Sequence, residues 1–498
     1  MSSTFSGIST ALSSLIAQRT ALDVAGQNVA NANTPGYTRQ RADLGAVSGS
    51  QVPSMFATNN GVGTGVQVTG ISRASDPFLD AKLRTQTSGA ASLAALSGAY
   101  STLEAGLGEP GGSGLSSQLQ TFWNDWHDVS NAPDTLSTRS VLLDDARQTV
   151  DTIHSQYSSI ATQWSDARTT TSSLVDQTNT LAANVADLNQ RILDITNNGG
   201  SANELADQRD QALTQLAGLV GATVQSQQDG QVDVYVGGNA LVFGASSRAL
   251  ALGGAQVFSQ AAGYATDGTP TTPQDVHLEW ADSPGQRVVP TGGTVAGQLM
   301  VLAPAAADGS GTGGVLTEAA RRLDQVATTL ATDVNTLHAG AQTVAGSNGG
   351  AFFTPLDPSD PTWTSGPTHG PAALQISVAL TTADQVAVAA PGAGAYDASI
   401  GQQIAALGTS TTGADAVWSQ AVVEIGNRSA AAASRSSVAE SARASAEQDQ
   451  LGNASVDTDQ ETVGMIATQR SYQAAARVLT TLDDMLDTLI NKTGLVGR

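Results

Sequence analysis

The side chains that most often carry out catalysis or bind metals are few and scattered in this sequence. The five histidines, at positions 127, 154, 277, 338 and 369, include neither an i, i+4 pair nor an HExxH sequence, the spacings that place two histidines on one helix face around zinc. The absence of cysteine excludes disulfides, thiolate nucleophiles and cysteine metal sites. No GxSxG, Walker or GxGxxG sequence occurs. We therefore predict no catalytic residues, no metal site and no cofactor.

Two adjacent aspartate pairs, Asp144-Asp145 and Asp483-Asp484, resemble the paired carboxylates of an acid/base site. Neighbouring side chains on a helix point about 100° apart, whereas general acid/base catalysis needs two groups that converge. We interpret both pairs as solvated helix faces. A secreted hydrolase would need clustered acid and base residues in the β-rich part of the chain, and no such cluster is visible.

The composition bounds the partners and the number of domains. With 22 basic and 44 acidic residues the formal net charge is −22, which argues against nucleic acid as a partner because phosphate binding needs a basic surface. A length of 498 residues at 40% hydrophobic content predicts roughly three domains with packed cores. The first 18 residues lack a secretory signal pattern, and no apolar run is long enough to span a membrane. We expect no membrane insertion and, for any export, another route.

Both ends of the chain carry apolar residues at helical, heptad-like spacing. The first helix should end near Asn33, because Thr34-Pro35-Gly36 favours extended geometry followed by a turn. The two patterns predict terminal helices that pair as a coiled coil, although periodicity alone leaves open whether each packs on its own domain or against another molecule. The N-terminal positions are Phe5, Ile8, Leu12, Leu15, Leu22 and Val29; the C-terminal ones are Met465, Thr468, Tyr472, Ala475, Leu479, Leu482, Leu486 and Leu489, broadened by Ile466, Val478 and Met485.

A longer helical pattern fills the centre of the chain. Apolar residues alternate steps of three and four from Leu143 to Ile195, which predicts a rod about 80 Å long at 1.5 Å per residue. Residues 197–200, Asn-Asn-Gly-Gly, should end it. Ser201 and Glu204 have the spacing of a capping box that opens a second, antiparallel helix through Leu219.

The remaining segments predict strands and further helices. Alternating apolar residues predict a strand within 61–71, a β-rich region over 221–303 and a strand at 374–380. Helical spacing returns at 316–337 and again from Trp418, and residues 341–372, rich in Gly and Pro, predict a surface loop or small insert. The predicted class is α+β and multidomain. Its parts are 1–44 with 451–498 (terminal helices), 45–220 with 304–340 and 395–450 (helical bundle), 221–303 (β-rich domain) and 341–394 (loop and strand insert).

One segment is specific enough to indicate a family. The sequence ANANTPGYTRQ at 30–40 resembles the amino-terminal signature of the bacterial flagellar rod, hook and hook-associated proteins, and its turn residues are Asn31, Asn33, Thr34, Pro35, Gly36 and Tyr37. Segments 61–84, 121–139, 203–221, 334–338 and 468–490 resemble the members that join hook to filament. The resemblance is weakest at 240–310 and 341–415. Residues 453–461 depart from the Gly-containing, more acidic turn that the family usually shows before the last helix.

The resemblance implies a structural, non-enzymatic function. Such proteins leave the cytoplasm unfolded through the type III export apparatus and form a ring at the junction of hook and filament. Implied partners are further copies of the chain, the hook protein, the second hook-filament junction protein and a cytoplasmic export chaperone. The terminal helices would line the inner tube, the bundle would form the next shell, and the β-rich domain would face outward. Alternatives are another axial protein of hook or rod type, and a secondary adhesin-like role of the exposed β-rich domain.

These implications assign functions to the terminal residues. The assembly interface would use Phe5, Ile8, Leu12, Leu15, Leu22 and Val29 with Met465, Tyr472, Leu479, Leu482, Leu486 and Leu489. Within that set, Leu479, Leu482, Leu486 and Leu489 offer the ridge that a chaperone groove could bind. Residues 31–37 would redirect the chain from the inner helix toward the outer domains.

Overall fold

The computed structural model describes residues 4–48, 63–356 and 370–492. Long helices dominate it, and the strands are short. The helices are α1 (Thr4–Ala30), α2 (Pro77–Leu107), α3 (Leu115–Asn131), α4 (Leu136–Asn197), α5 (Asn203–Val220), α6 (Phe258–Ala262), α7 (Gly293–Leu302), α8 (Val315–His338), α9 (Ala372–Gln375), α10 (Ser399–Ala405), α11 (Ala414–Ala454) and α12 (Thr458–Asp487). The strands are β1 (Gln40–Val47), β2 (Gly65–Arg73), β3 (Thr223–Ser226), β4 (Val232–Val236), β5 (Asn239–Phe243), β6 (Ser246–Ser247), β7 (Leu250–Gly254), β8 (Val276–Trp280) and β9 (Ser283–Val288).

The 62-residue helix α4 runs the length of the bundle, and the predicted rod is confirmed. At 1.5 Å per residue it is about 93 Å long. It ends at Asn197, and Gly199 takes a positive φ of 76° just beyond. The first half of its predicted stripe packs with α3 and α8 around the fully buried rings of Trp126 and Trp164. Burial of these apolar side chains stabilises the bundle.

The predicted capping box before α5 is wrong. The N-cap residue of α5 is Ala202, which makes no side-chain cap. The Ser201 hydroxyl instead donates to the carbonyl of Ile71, and Glu204 accepts from the Gln40 side chain. The polar residues at this helix start are therefore used in contacts with the β1–β2 hairpin.

The β-rich region is present and forms two antiparallel sheets. One has the order β3-β4-β5-β6 and the other β7-β8-β9. Their inner faces pack on the second half of α4 and on α5, in a cluster that includes Val175, Val185, Leu216 and Trp280. The last strand ends at Val288, and α7 then packs against α2, α4 and α5.

The segment predicted as a surface loop or insert belongs partly to the bundle core. Phe352, Phe353 and Val386 are fully buried there. The strand predicted at 374–380 is wrong, because Pro371 opens the short helix α9 and Val378 makes only an isolated bridge with Phe353. Alternation here reflects a chain that presses every other side chain, such as Ile376, into the bundle without pairing along a sheet.

A carboxyl group in this part of the bundle gives the fold a pH dependence. The carboxylate of Asp324 on α8 accepts from the amide of Ala373 at 2.8 Å, and burial raises the pKa of Asp324 to about 7. The neutral acid is therefore favoured in the folded state, while the unfolded pKa lies near 4. Its contribution to stability is fully present below pH 4 and is lost as the pH rises through 7.

We expect Asp324→Asn to raise the free energy of unfolding at pH 8 by about 1–3 kcal/mol, because the amide can accept the same hydrogen bond without a charge. The gain should shrink toward zero at pH 4. Urea unfolding at both pH values measures it, with Asp144→Asn, an exposed aspartate on α4, as the matched control. Equal effects of the two substitutions at pH 8 would contradict the assignment.

The two ends of the chain form a unit of their own. Helices α1 and α12 pack against each other, and α1 also contacts the β1–β2 hairpin. The pair is antiparallel, since Gly7 near the start of α1 lies beside Leu482, while Arg39, beyond its end, reaches Glu461 at 3.5 Å. The two ends of the chain therefore pack together in the monomer, as expected, and their coiled-coil geometry stays a prediction.

Candidate functional site

Several of the residues with catalytic potential have structural partners. His338, fully buried, bonds the Gly350 carbonyl through Nδ1 at 2.6 Å and accepts from the Ala387 amide through Nε2 at 2.9 Å. Asp144 is exposed as predicted and pairs with Arg147. Asp145 departs from the prediction, because it is half-buried and lies beside Asp125. The pKa of Asp125 is raised, first by burial and then by the neighbouring Asp145.

Two kinds of site are absent from the part of the chain that the structure describes. No group of three or more His, Cys, Asp or Glu side chains there could hold a metal ion. No helix within 4–48, 63–356 and 370–492 has the length and hydropathy needed to cross a membrane. The remaining candidates for function are surfaces.

The predicted terminal stripes differ in where they lie. On α12, Met465, Leu479, Leu482 and Leu486 are half-buried on the side that faces α1, and Tyr472 lies at the edge of that side. On α1 the predicted stripe is divided. Ile8, Leu15 and Leu22 are half-buried, whereas Leu12 and Val29 are exposed. The side chains of Phe5 and Leu489 lie outside the described residues.

Each terminal helix also has an outward apolar face that faces no other element of the described chain. On α12 it consists of Val463, Ile466, Val478 and Met485, which are 47–69% exposed. On α1, Leu12 and Ile16 are 50% and 58% exposed. Ile16 and Val463 were missed by the sequence reasoning, although the spacing of 463, 466, 478 and 485 is itself a second helical stripe. Exposed apolar rows of this kind on neighbouring helices are typical of interaction surfaces.

The turn after α1 is held by a small buried network. The Asn28 side chain donates to the Gln40 carbonyl at 2.8 Å and accepts from the Gln40 amide and the Tyr37 hydroxyl, both at 2.9 Å. This fixes the first residue of β1 against the last turns of α1. The pKa of Tyr37 is raised to about 12, first by burial and then by the nearby carboxylates of Asp207, Glu204 and Glu461. The hydroxyl therefore keeps its proton and remains a donor.

Helix α5 holds the other side of this turn. Asp207 accepts from the Thr38 amide at 3.1 Å, and Arg73 bridges Asp207 at 2.6 Å and Asp210 at 2.9 Å. Arg209, between them in sequence, points the other way and bonds Asn189 on α4 and the Gly230 carbonyl. The sequence Asp-Gln-Arg-Asp at 207–210 therefore binds the terminal unit with its aspartates and the β-rich side with its arginine.

Gly36 lies where the turn touches α5. Its φ is +77°, a region that β-branched residues avoid. A Cβ at this position would sit 2.0 Å from Nε2 of Gln211, whose amide donates to the Pro35 carbonyl at 2.9 Å. Around it, Asn31 accepts from Thr34 at 3.2 Å, and Asn33 is exposed. The turn motif is thus a docking element and more than a helix stop.

The entry into the last helix is also part of this region. Helix α11 ends at Ala454, and Asp457 caps α12 by accepting from the amides of Asp459 and Gln460. The Ala454 carbonyl accepts from the Arg39 amide at 2.9 Å, and the Asn453 side chain donates to the Ala74 carbonyl at 2.9 Å. We call residues 28–40, 73–76, 203–211 and 453–461 the joint, because they connect the terminal helix pair to the bundle.

We expect Arg73→Ala to loosen the joint without unfolding the bundle. The substitution leaves Asp207 and Asp210 without their shared cation, which weakens the bond from Asp207 to the Thr38 amide. Amide exchange at Thr38 should become about tenfold faster or more. Arg41→Ala is the matched control, because Arg41 is largely exposed and pairs only with Asp43. Unchanged exchange at Thr38 would show that Arg73 does not organise the joint.

Family models match most of the chain. The family described as the flagellar hook-associated protein FlgK helical domain matches residues 100–353. The flagella basal body rod protein family matches residues 8–38, and the C-terminal family of the flagellar basal body rod FlgEFG proteins matches residues 448–492. The two terminal matches coincide with the helix pair, and the central one with the bundle and the β-rich region.

Individual relatives agree with the family matches. Flagellar hook-associated protein 1 of Bacillus subtilis (strain 168) is 29% identical over the whole length of both chains. The protein of the same name from Escherichia coli (strain K12) is 32% identical over 49% of this chain and 44% of its own. The structure of the flagellar hook junction protein FlgK from Burkholderia pseudomallei has a TM-score of 0.59 at 15% identity, and the match covers 75% of this chain and all of that one. The similarity to it is one of fold.

Proposed function

This chain belongs to the family of the flagellar hook-associated protein FlgK, and from that premise we propose how it acts as a structural component of the junction between hook and filament. The family match covers just over half of the chain, at 100–353. The observation that carries the mechanism is the pair of outward apolar faces on α1 and α12. In an isolated molecule these faces are hydrated, and burying them between molecules would stabilise an assembly.

We propose that copies of the chain form a ring through these faces. The terminal helix pair would lie innermost, the bundle outside it, and the β-rich domain at the surface. The hook protein would contact the ring on one side and the second hook-filament junction protein on the other. The joint supports this arrangement, because it fixes the terminal pair to the bundle through buried hydrogen bonds and the Arg73 ion pairs.

The test of this role is a double substitution on the outward face of α12. Ile466→Asp with Met485→Asp should leave the thermal melting of the purified protein unchanged, because both side chains are exposed. In cells that depend on this chain, filaments should be lost, since charges would be buried between subunits. Filaments are counted by electron microscopy. Val438→Asp, 68% exposed on α11, is the control. Normal filaments with the double variant would remove the proposed use of this face.

We also propose that the chain leaves the cytoplasm through the type III export apparatus and is held beforehand by an export chaperone. The predicted chaperone ridge, Leu479, Leu482, Leu486 and Leu489, includes side chains that face α1 in the folded monomer; Leu482 lies beside Gly7. A chaperone bound to this ridge would therefore replace α1, and the terminal pair would form only after release. The mature protein would then be extracellular, in the flagellum.

We expect Leu482→Asp with Leu486→Asp to abolish chaperone binding, because both lose the apolar contacts of a helix in a groove. Isothermal titration of the full chain with the chaperone measures the dissociation constant. Ile466→Asp, on the opposite side of α12, should bind as the natural sequence does. An unchanged constant for the double variant would exclude this ridge and direct attention to α11.

A further inference from the structure

Unpaired charges accompany the outward apolar faces of the terminal helices. Most arginines in the described residues bond a carboxylate or a carbonyl, and five have no such partner within that part of the chain. Three of the five, Arg19, Arg470 and Arg477, lie on the terminal helices, and the other two are Arg84 and Arg435. The exposed carboxylates of Asp23 and Asp484 likewise make no ion pair with any described residue. Since the chain has twice as many acidic as basic residues, three unpaired arginines on one small unit are unexpected.

The charges on α12 share a face. Arg470, Arg477 and Asp484 are seven residues apart and follow Val463 at the same interval, so they lie in one row. Met485 lies next to this row. Because the residues that face α1, such as Leu479 and Leu486, are on the other side of the helix, the row points away from α1.

A second row lies on α1. Leu12, Ile16, Arg19 and Asp23 follow at intervals of four, three and four residues, all exposed. The buried residues Ala17 and Val24 lie on the opposite side of the helix. The terminal pair therefore carries two different surfaces, one on each helix. Two different surfaces that fit each other produce head-to-tail association, which generates rings or helical arrays.

The relative heights of the charges restrict how two copies can fit. Because α1 and α12 are antiparallel and Gly7 lies beside Leu482, Arg19 lies level with Arg470 of the same chain. A second copy at the same height would place its Arg470 beside Arg19, and like charges repel. A copy displaced by about 19 Å along the helix axis places its Arg477 within about 2 Å of the height of Asp23.

The same displacement satisfies two further contacts. Asp484 of the displaced copy comes within about 2 Å of the height of Arg19, an offset that an arginine side chain spans easily. Met485 of that copy comes level with Ile16, which pairs the two apolar side chains. A displacement of about 19 Å brings three complementary pairs together, whereas a copy at the same height places two arginines side by side. The comparison favours a staggered arrangement.

We propose that the α12 row of one copy docks on the α1 row of a second copy displaced by about 19 Å along the helix axis, with Arg477 facing Asp23 and Asp484 facing Arg19. The charges would set the height at which neighbouring subunits lock, while the apolar residues supply the adhesion. This deepens the proposed junction role and rests on it. The partner is a second copy of this chain.

Disulfide trapping tests the stagger directly, because the chain has no cysteine of its own. Asp23→Cys with Arg477→Cys should give a ladder of covalent multimers when flagella isolated from cells are oxidised. The matched pair, Asp23→Cys with Arg470→Cys, should remain monomeric, because the two cysteines would lie about 13 Å apart in height. Monomers from the first pair, or a ladder from the second, would overturn the proposed register.

Charge exchange tests the energetics in the same cells. Arg477→Asp should lower the number of filaments about tenfold or more, and adding Asp23→Arg should restore it. Arg435→Asp, at an exposed and unpaired arginine on α11, should have no effect. Normal filaments with Arg477→Asp, or a double variant no better than the single one, would overturn the pairing. The junction role itself is tested separately, since it fails only if cells lacking the whole chain still build filaments.

Discussion

Gly36→Val is expected to abolish filament growth while leaving the bundle folded. Valine at a φ of +77° is strained by about 1–3 kcal/mol, and its Cβ would displace the Gln211 side chain from the Pro35 carbonyl. The turn would then lose its fit against α5. Neither buried core cluster contains residue 36, so the main thermal transition should not move.

The measurement combines calorimetry of the purified chain with filament counts in cells that depend on it. Gly70→Val is the matched control, since Gly70 lies in β2, is exposed and has open space where a Cβ would sit. Gly36→Asn should be intermediate, because asparagine tolerates a positive φ better than valine does. Full filament growth with Gly36→Val would show that the turn is a passive connector.

Asn335→Ala should strongly lower the free energy of unfolding of the bundle. The buried Asn335 side chain accepts from the amides of Phe352 and Phe353 at 2.8 and 2.9 Å and donates to the Phe353 carbonyl at 2.9 Å. Alanine would leave these backbone groups buried without partners, at about 1–3 kcal/mol each. We expect a decrease of about 3–5 kcal/mol in the free energy of unfolding.

Urea unfolding followed by circular dichroism measures this loss. Thr336→Ala is the control, since Thr336 is the next residue on α8, is exposed, and bonds only within its own helix. A second readout is tryptophan fluorescence, because Phe352 packs on the Trp126 ring with centroids 5.3 Å apart. A loss below about 1 kcal/mol would show that water or a shift of the 350–353 segment replaces these bonds.

Local periodicity predicted those parts of the fold in which one helix face determines the structure. The stripe from Leu143 to Ile195 identified α4, and the terminal stripes identified α1 and α12. Helices α2 and α3 were not predicted, although Asp76 and Pro77 form an evident helix start for α2. The face of α2 is rich in Ala and Gly and packs closely on α11, so it lacks the large apolar residues on which periodicity depends.

Segments whose structure depends on distant partners were not predictable in this way. The alternation at 374–380 predicts a strand, because no local signal shows that Ile376 packs into a helical core. The joint depends on pairs such as Arg73 with Asp207, which are 134 residues apart in sequence. Only the family signature at 30–40 indicated that the turn mattered, and it did not indicate the residues of α5 that receive it.

The joint has a mechanical consequence. The chain passes between the terminal pair and the bundle twice, at 74–76 and at 455–457, and the two passages are tied side by side by the bond from Asn453 to the Ala74 carbonyl. A single tether would let the two parts swivel freely. Two parallel tethers, braced against α5 by Arg73 and Gln211, resist twisting, because rotation would have to stretch one while slackening the other. A torque applied to the terminal helices would thus turn the bundle with them, with little rotation of one part relative to the other.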